Sequence, residues 1–561
     1  MKHASLLMSV LLGWGGYAVF PSAAWPCSNP MSMTHPSPHS VDQVPLFDNL
    51  GNHEHPISTQ NPLTQRYFNQ GVILAYGFNH AEAARAFQQA AALDPTCAMC
   101  YWGLAYVLGP NINAPMDAQA VSPAYTAIQQ AVKLSDRATN REKAYIQALA
   151  QRYVAESPED RSPLDLAYAK AMGTVAQRHP DDLDAATLYA EALMDTTPWD
   201  YWEDNGDPKP IGAEIMATLE RVIAENPNHA GANHLYIHAV EKERPELGIA
   251  AADRLMTLVP GSGHLVHMPS HIYIRVGRYH DAVVSNQRAI EADRAYAAHH
   301  NPKPGIYSLA YMPHNHHFLW FAALMTGQSR VATEAARHTA HVEDPALLRD
   351  PGLGGALQHY ASIPLFTQIR FSQWEQILAT PAPDGELLYP LGIWHYAQGM
   401  AQTNTGQLDA AAQSWQKLAA LAAHPTLADL KILDFNVTAD VLKVATAVLA
   451  GELAAAQKDY DAAVTFLQEA VQLEKALVYT EPPDWYHPTR QSLAAVLLKA
   501  NRAAEAEATY REDLAIYPNN GWSLYGLAQS LRSQNKLQDA QAVETQLQEA
   551  WQYADVTLAS E

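Results

Sequence analysis

Positive charge is scarce in this sequence: 36 lysines and arginines stand against 58 aspartates and glutamates, for a formal net charge of -22 at pH 7. The sequence contains no long basic run. Contacts to phosphate groups need clustered lysine and arginine, so we expect no nucleic-acid partner. Binding to anionic membrane surfaces is disfavoured for the same reason.

Several catalytic signatures are also missing. The sequence has no glycine-rich phosphate loop, no nucleophile elbow and no His-Glu-x-x-His motif. The ATPase, hydrolase and metalloprotease mechanisms that depend on these motifs are therefore not indicated.

Long hydrophobic runs are confined to the N-terminus. Lys2 precedes an apolar stretch over residues 6–20, and small residues follow at 22–24. These are the three zones of a secretory signal peptide, so we expect residues 1–24 to be removed and the protein to be periplasmic or secreted. No later segment has the roughly 18 consecutive apolar residues of a membrane span, so none is expected after signal removal. The alternative is an uncleaved N-terminal anchor.

Cysteine is equally scarce, with three residues in the chain. Cys97 and Cys100 are the two that fall inside the region expected to fold. Three interpretations stay open: packed core thiols, a disulfide in an oxidising compartment, or a pair that holds a soft metal ion.

A polar, proline-interrupted segment over residues 25–60 follows the signal, and we interpret it as a leader or linker. It contains several copper-compatible side chains, namely Met31, Met33, His35, His39, His53 and His55. Methionine and histidine in an exported segment suit copper. The alternative is a low-complexity tail without a ligand.

From residue 64 the pattern changes to paired amphipathic helices with a recurring set of small and large apolar residues. The first unit carries Gly71, Leu74, Ala83, Phe87, Ala90 and Pro95. Two units near the C-terminus repeat the pattern, with Leu493, Ala494, Ala506, Tyr510 and Pro518 in one and Leu527, Ala528, Leu531 and Ala540 in the next.

This pattern resembles the consensus of the tetratricopeptide repeat family, whose unit is about 34 residues. The resemblance covers roughly residues 64–550 and is that of an exported bacterial member of the family. It implies an all-α fold, a right-handed superhelical solenoid of tetratricopeptide helix pairs. Turn phrases that begin at Gly277, Gly327 and Gly406 mark further junctions between the two helices of a repeat.

The sequence thus divides into a signal peptide (1–24), the leader (25–60), N-terminal repeats (61–228), central histidine-rich repeats (229–345) and C-terminal repeats (346–561). Two proline-rich interruptions, over residues 197–210 and 301–313, exceed the usual turn between repeats. We expect loops there that cover an edge or a mouth of the solenoid.

The family resemblance also implies where a ligand would bind. In tetratricopeptide proteins the first helix of each repeat lines the concave groove, and ligands are met mainly from positions 2, 5, 9, 12 and 13. Positions 2, 5 and 9 of the three central repeats hold seven histidines in nine places: His234, His238, His264, His267, His271, His314 and His317. Since the chain has 25 histidines in 561 residues, chance would fill fewer than one of these places.

Imidazole nitrogens are the commonest protein ligands for transition metals, and facing helices are how helical proteins build such centres. Three neighbouring helices can supply three ligands to each of two ions, or four ligands to one ion. Glu241 and Glu191 lie on comparable groove faces and are candidate carboxylate ligands, general bases or orienting groups. Histidine without thiolate, outside the cytoplasm, makes copper the first choice, with zinc or iron as alternatives. Pro269 should kink or delay the first helix of its repeat.

These features predict an exported metalloprotein with a histidine-lined centre in the concave groove, acting as a copper- or iron-dependent oxidoreductase on a small molecule or peptide. Two alternatives stay open. One is a metal-free scaffold that binds a peptide or protein partner in the groove. The other is a zinc-assisted hydrolase with a carboxylate base such as Glu241.

Overall fold

A computed structural model describes residues 44–300 and 305–558 of the chain. The expected signal peptide lies outside the described residues. So do Met31, Met33, His35 and His39 of the leader.

Almost all of the regular secondary structure in the described residues is helical. The α-helices are α1 (Pro62–Tyr76), α2 (His80–Leu93), α3 (Ala98–Val107), α4 (Val121–Leu134), α5 (Asn140–Leu149), α6 (Ser162–Arg178), α7 (Leu183–Thr196), α8 (Pro210–Glu225), α9 (Ala230–Val240), α10 (Pro245–Leu258), α11 (Gly263–His267), α12 (Pro269–Arg275), α13 (Tyr279–His300), α14 (Met312–Met325), α15 (Ser329–Thr339), α16 (Gly354–Arg370), α17 (Trp374–Ala379), α18 (Leu388–Asn404), α19 (Leu408–Ala422), α20 (Thr438–Ala456), α21 (Tyr460–Lys475), α22 (Thr489–Lys499), α23 (Ala503–Ile516), α24 (Gly521–Ser533) and α25 (Leu537–Ala550).

Short elements connect some of these helices. Single 3-10 turns cover Ala118–Ala120, Ser135–Arg137, Ala150–Arg152, Pro345–Arg349 and Pro425–Ala428, and a π-helical turn covers Tyr307–Tyr311. A two-residue antiparallel hairpin pairs β1 (Lys431–Ile432) with β2 (Asn436–Val437).

Consecutive helices pack against one another along the chain, which confirms the expected all-α helical repeat fold. The predicted junctions lie between paired helices, where the backbone must adopt a left-handed conformation to reverse direction. Gly277, Gly327 and Gly406 have φ angles of 77°, 66° and 77° at these points. Glycine adopts such angles at no steric cost, which is why the turn phrases were recognisable.

Proline interrupts the first helix of one central repeat, as predicted. Pro269 is the first residue of α12, and α11 ends two residues earlier at His267. Proline is tolerated at a helix start because the amide hydrogen it lacks would have no partner there. His264 and His267 therefore lie on the short helix α11, ahead of the break.

Distant repeats fold back onto one another, so the inner helix faces are covered. Helix α1 packs against α9, and every residue of α9 is buried. Near the C-terminus, Trp522 Nε1 donates a hydrogen bond to the carbonyl of Leu324 at 2.8 Å. The inner face that we expected to line an open groove is largely a packed core.

Cys97 and Cys100 form a disulfide. This settles the three interpretations left open by the sequence, because disulfide sulfurs are not thiolate ligands for a metal. Among the described helices, none is both long and apolar enough to cross a membrane.

The described end of the leader, residues 44–60, lies against the repeats as a strap. Tyr67 donates to the carbonyl of Val44 at 2.6 Å, and Gln65 donates to the carbonyl of His55 at 2.8 Å. The main anchor is the buried carboxylate of Asp184, which lies 2.7 Å from Nδ1 of His55 and accepts from Tyr76 at 2.6 Å. The strap is thus held by hydrogen bonds and by charge.

Core packing of the first repeat centres on Phe87, whose ring is fully buried between Gly71 and Gly103. Replacing Phe87 by alanine should cost about 3–5 kcal/mol, because it leaves a cavity that these helices cannot close. Native-state hydrogen exchange should show the loss first in α1, α2 and α3, since a repeat depends mainly on its neighbours. The control Leu166→Ala, at a side chain 58% exposed, should change stability by less than about 0.5 kcal/mol. Equal effects from both variants would contradict this packing.

The strap anchor should depend on pH. Burial alone would raise the pKa of Asp184, but the charge of His53 and hydrogen bonds from neighbouring histidines hold it well below its usual range. The stabilisation from Asp184 is therefore present above its unfolded pKa of about 3.9 and is lost as pH falls through its lower pKa in the folded protein. Burial lowers the pKa of His55, yet Asp184 outweighs burial and raises it. The stabilisation from His55 is present below its unfolded pKa of about 6.5 and is lost as pH rises through its higher pKa in the folded protein.

We therefore expect the strap to be held most firmly between about pH 4 and 6.5. Hydrogen exchange of residues 50–58, corrected for intrinsic rates, should show protection that weakens above this range. Asp184→Asn should weaken the protection wherever the wild-type carboxylate is charged, by about 3–5 kcal/mol where the pair is fully charged, because a buried charge partner is lost. The control is Asp181→Asn, since Asp181 is exposed nearby. Unchanged protection in Asp184→Asn would show that the carboxylate does not hold the strap.

Candidate metal centre

Six of the seven predicted histidines come together in the structure. They form two adjoining groups, and in each group one ligand atom per residue lies within 4.8 Å of the others. The first triad is His234, His238 and His264, and the second triad is His267, His271 and His314. The spacing of four residues on α9 and across the α11–α12 break places two imidazoles on one face, as predicted.

In the first triad, the ring of His234 is oriented by the backbone of the first repeat. Its Nδ1 lies 2.6 Å from the carbonyl oxygen of Tyr76. A carbonyl only accepts, so Nδ1 carries the proton and Nε2 of the neutral ring presents a lone pair. This Nε2 lies 3.2 Å from Nε2 of His264. In the part of the chain that the structure describes, Nε2 of His238 has no hydrogen-bond partner.

In the second triad, acceptors at Nδ1 orient two of the three rings. Nδ1 of His267 lies 2.7 Å from Oδ1 of Asn286, whose amide nitrogen donates to the carbonyl of Ala282 and so fixes the amide orientation. Nδ1 of His271 lies 2.7 Å from Oε2 of Glu481. Both rings therefore direct Nε2 away from these acceptors, and the two Nε2 atoms lie 3.0 Å apart.

These separations match those of ligands that share an ion. Two nitrogens each about 2.0–2.1 Å from one metal lie about 2.9–3.4 Å apart when the angle at the metal is between 90° and 110°. Each of these close pairs needs a proton or a cation between its two Nε2 atoms, because two facing lone pairs would repel. Metal-binding histidines commonly donate their second ring nitrogen to a carbonyl or carboxylate, as His234 and His271 do here.

Two buried carboxylates, Glu241 and Glu481, flank the triads on the Nδ1 side of the rings. Oε2 of Glu241 lies 3.0 Å from Nδ1 of His271 and 3.3 Å from Nδ1 of His238. Burial alone would lower the pKa of His271, but the two carboxylates outweigh it and raise that pKa. Without an ion, His271 is therefore protonated and donates from Nε2 to His267.

The other triad histidines are neutral. Burial lowers the pKa of each, and a positive charge on a neighbouring imidazole would lower it further. Neutral imidazole is the form that binds a transition metal. Five of the six rings are buried, and only that of His314 is partly exposed.

Aromatic rings enclose both triads. Phe78 lies 4.6 Å from His234 and 5.4 Å from His264, measured between ring centroids, and Trp199 meets His238 edge-on at 5.0 Å. Phe318 lies 4.4–4.8 Å from each ring of the second triad. Phe78 has a φ of 54°, at the turn position that Gly277 occupies in a later repeat. A bulky residue is strained there, and such strain is typical of functional sites.

Two predicted residues lie elsewhere. His317 follows His314 on α14, but its ring stacks on Trp320, 5.4 Å away between centroids, and faces Tyr360. Glu191 lies on α7 in a separate buried cluster, where Tyr106 donates to its carboxylate at 2.5 Å. Burial and the adjacent Asp195 raise the pKa of Glu191 to about 8. Neither side chain has a described contact with the triads.

Sequence reasoning missed the residues that orient the imidazoles. Glu481 lies 210 positions from His271, in the segment between α21 and α22. Tyr76 contributes a backbone carbonyl, which no side-chain pattern can indicate. Glu481 had no signal in the sequence, because its role depends on how the C-terminal repeats fold back.

A third group, around Asp184, has the spacing of a ligand set, but both ring nitrogens of its His229 already form hydrogen bonds within the protein. His53, Asp184 and His229 border a cleft of about 680 Å³ under the strap. Nδ1 of His229 accepts from the amide of Ala232, so Nε2 carries the proton and donates to Asp184 at 3.2 Å. A metal ion bound to Nε2 of His229 would move that proton to Nδ1. Nδ1 could then no longer accept from the amide of Ala232, and the N-terminal cap of α9 would be lost. We therefore assign this group to the strap anchor.

No family model and no curated protein matches the chain. Solved structures are similar to it at low identity. The Cut9-Hcn1 hetero-tetramer of the APC/C is 14% identical, over 83% of this chain and 76% of that one, with a TM-score of 0.30. The human IFIT1 dimer with m7Gppp-AAAA is 12% identical, over 89% and 92%, with a TM-score of 0.30. The P58(IPK) TPR domain is 12% identical, over 85% and 99%, with a TM-score of 0.22. These scores carry no argument about ligands or partners.

Proposed function

We propose that this protein is an exported redox metalloprotein that holds copper at the two histidine triads and acts as an oxidoreductase. One observation carries the proposal: the Nε2 atoms of two imidazole pairs lie 3.0 Å and 3.2 Å apart, and three of these four rings have an acceptor at Nδ1. Burying so many imidazoles without a cation costs free energy. A bound transition metal would offset that cost.

The donor set favours copper or iron over a hydrolytic zinc site. All six donors are imidazoles, and the described thiols are joined in a disulfide. A zinc-assisted hydrolase needs a carboxylate base beside the open coordination position. Glu241 contacts His238 and His271 at Nδ1, on the opposite edge of each ring from Nε2. In that position Glu241 orients the imidazoles and cannot act as the base that a zinc hydrolase needs. We therefore propose copper first and iron second.

Export is part of the proposal. The apolar segment over residues 6–20 and the disulfide between Cys97 and Cys100 support it, because disulfides persist mainly in oxidising compartments. Copper is the metal that we expect an all-imidazole centre to bind most tightly among the divalent first-row ions.

Elemental analysis of purified protein, reconstituted separately with copper, zinc and iron, tests the metal. We expect copper to be retained through dialysis and to be lost from the second triad in a His267→Ala plus His271→Ala variant. His317→Ala is the matched control, since this buried histidine lies outside both triads. It should retain the wild-type copper content.

Absence of all three metals from the reconstituted wild type would overturn the proposal and leave a metal-free scaffold. Equal copper in the wild type and the double variant would place the copper elsewhere, with the leader histidines as the next candidates. Circular dichroism of each variant should confirm that the helical fold is retained.

Glu481 should tune the second triad. Glu481→Gln weakens the acceptor for Nδ1 of His271, so copper affinity should fall about 10–100-fold, as expected for loss of a partner that orients a ligand. Competition with a chromogenic chelator measures this. Asp484→Asn is the matched control, because Asp484 is buried in the same segment but bonds to Asn436. A fall of equal size in both variants would indicate that only the segment, and not the carboxylate, matters.

A further inference from the structure

The six imidazoles are too widely distributed to serve one ion. We infer that the centre holds two ions, one in each triad, and that they act as a pair on dioxygen. This inference rests on the proposed copper function and deepens it, because it specifies how many ions bind and which class of substrate they meet.

The division follows from the positions of the ligand atoms. Within each triad, three ligand atoms lie within 4.8 Å of one another. Among the described residues, imidazoles of different triads join in such a group only through Glu241, which meets His238 and His271. The short contacts between Nε2 atoms also occur within triads, His234 with His264 and His267 with His271. Each triad therefore has its own point of convergence.

Glu241 links the two positions. Its Oε2 lies 3.3 Å from a first-triad ring and 3.0 Å from a second-triad ring, and both contacts are to Nδ1. A single carboxylate oxygen is thus shared by the outer edges of one ligand from each triad. Negative charge there reduces the repulsion between two cations. Glu241 is a positioning residue in this arrangement.

The triads adjoin closely. The ring of His238 lies 5.3 Å from that of His271, and the ring of His264 lies 5.8 Å from that of His267, between centroids. These separations resemble those inside each triad, such as 4.9 Å between His234 and His238. Ions at the two convergence points would be near enough for their unpaired electrons to interact.

Three imidazoles leave an ion with an open coordination position, as three protein ligands do in catalytic zinc sites. Here the surroundings restrict what can reach it. Phe78, Trp199 and Phe318 wall the triads, and His314 is the one ligand with partial exposure. A small apolar molecule passes such walls more readily than a peptide or a charged substrate. Dioxygen has this size and polarity.

Two adjacent copper(I) ions also supply the two electrons that the reduction of dioxygen to hydrogen peroxide requires. Each ion gives one electron, so the pair reduces one dioxygen by two electrons while both become copper(II). Two protons from solvent complete the product, hydrogen peroxide. A small one-electron reductant such as ascorbate returns both ions to copper(I), and it is itself oxidised by one electron for each ion.

Copper counting and electron paramagnetic resonance of the oxidised full-length protein test the pair. We expect two coppers per chain and an integrated spin signal well below the chemically measured copper, because the two copper(II) spins couple. His264→Ala and His314→Ala each remove a ligand from one triad. Each should bind one copper fewer and recover one full spin for the copper that remains. His317→Ala should retain two coppers and the reduced signal.

A wild type with one copper and a full spin signal would overturn the pair while leaving the proposed function intact. No copper at all would overturn the proposed function itself. If an alanine variant fails to fold, His264→Gln and His314→Gln keep a polar side chain of similar reach and serve the same comparison. Two coppers with two full, uncoupled spins would place the ions apart and would also overturn the pair.

Single-turnover reaction with dioxygen tests the substrate. Anaerobically reduced wild type should consume one dioxygen for every two coppers and release hydrogen peroxide without superoxide. The variants with one copper have one electron to give, so they should release superoxide, detected by reduction of cytochrome c that superoxide dismutase suppresses. Superoxide from the wild type at the level of the variants, or a reduced wild type that does not react, would overturn the assignment to dioxygen.

Discussion

The close approach of α1 and α9 is the contact on which the rest of this structure depends. Gly231 allows it, because a Cβ at that position would lie 2.6 Å from the ring of Tyr76. The approach brings the carbonyl of Tyr76 to His234 and its hydroxyl to Asp184. One residue of the first repeat therefore orients an imidazole of the first triad and supports the anchor of the strap.

The centre illustrates a conflict between stability and function. A repeat protein gains stability from apolar inner faces, yet this chain buries imidazoles at those positions and places Phe78 in a strained turn beside them. Buried polar groups lower stability unless they are paired. Tyr76, Asn286 and Glu481 supply partners at Nδ1 for three of the six rings.

Much of the fold and part of the site followed from periodicity. Gly277, Gly327 and Gly406 marked helix junctions because only a few residue types tolerate a left-handed backbone. The spacing of His234 and His238 placed both on one helix face because an α-helix repeats every 3.6 residues. His317 met the same spacing rule and still lies outside the triads. A position on a helix defines a direction, but the neighbour it meets depends on how that helix packs.

The sequence by itself determined local structure and chemistry: paired helices, the turns between them, the break at Pro269 and a concentration of imidazoles on three inner faces. Tertiary structure alone decided that these imidazoles divide into two triads, that Glu241 contacts one ring of each and that Glu481 orients His271 across 210 residues. The physical reason is the distance along the chain over which each kind of interaction acts. Backbone geometry acts over a few residues, whereas the triads depend on the approach of helices from distant repeats, which is determined by the packing of the whole core.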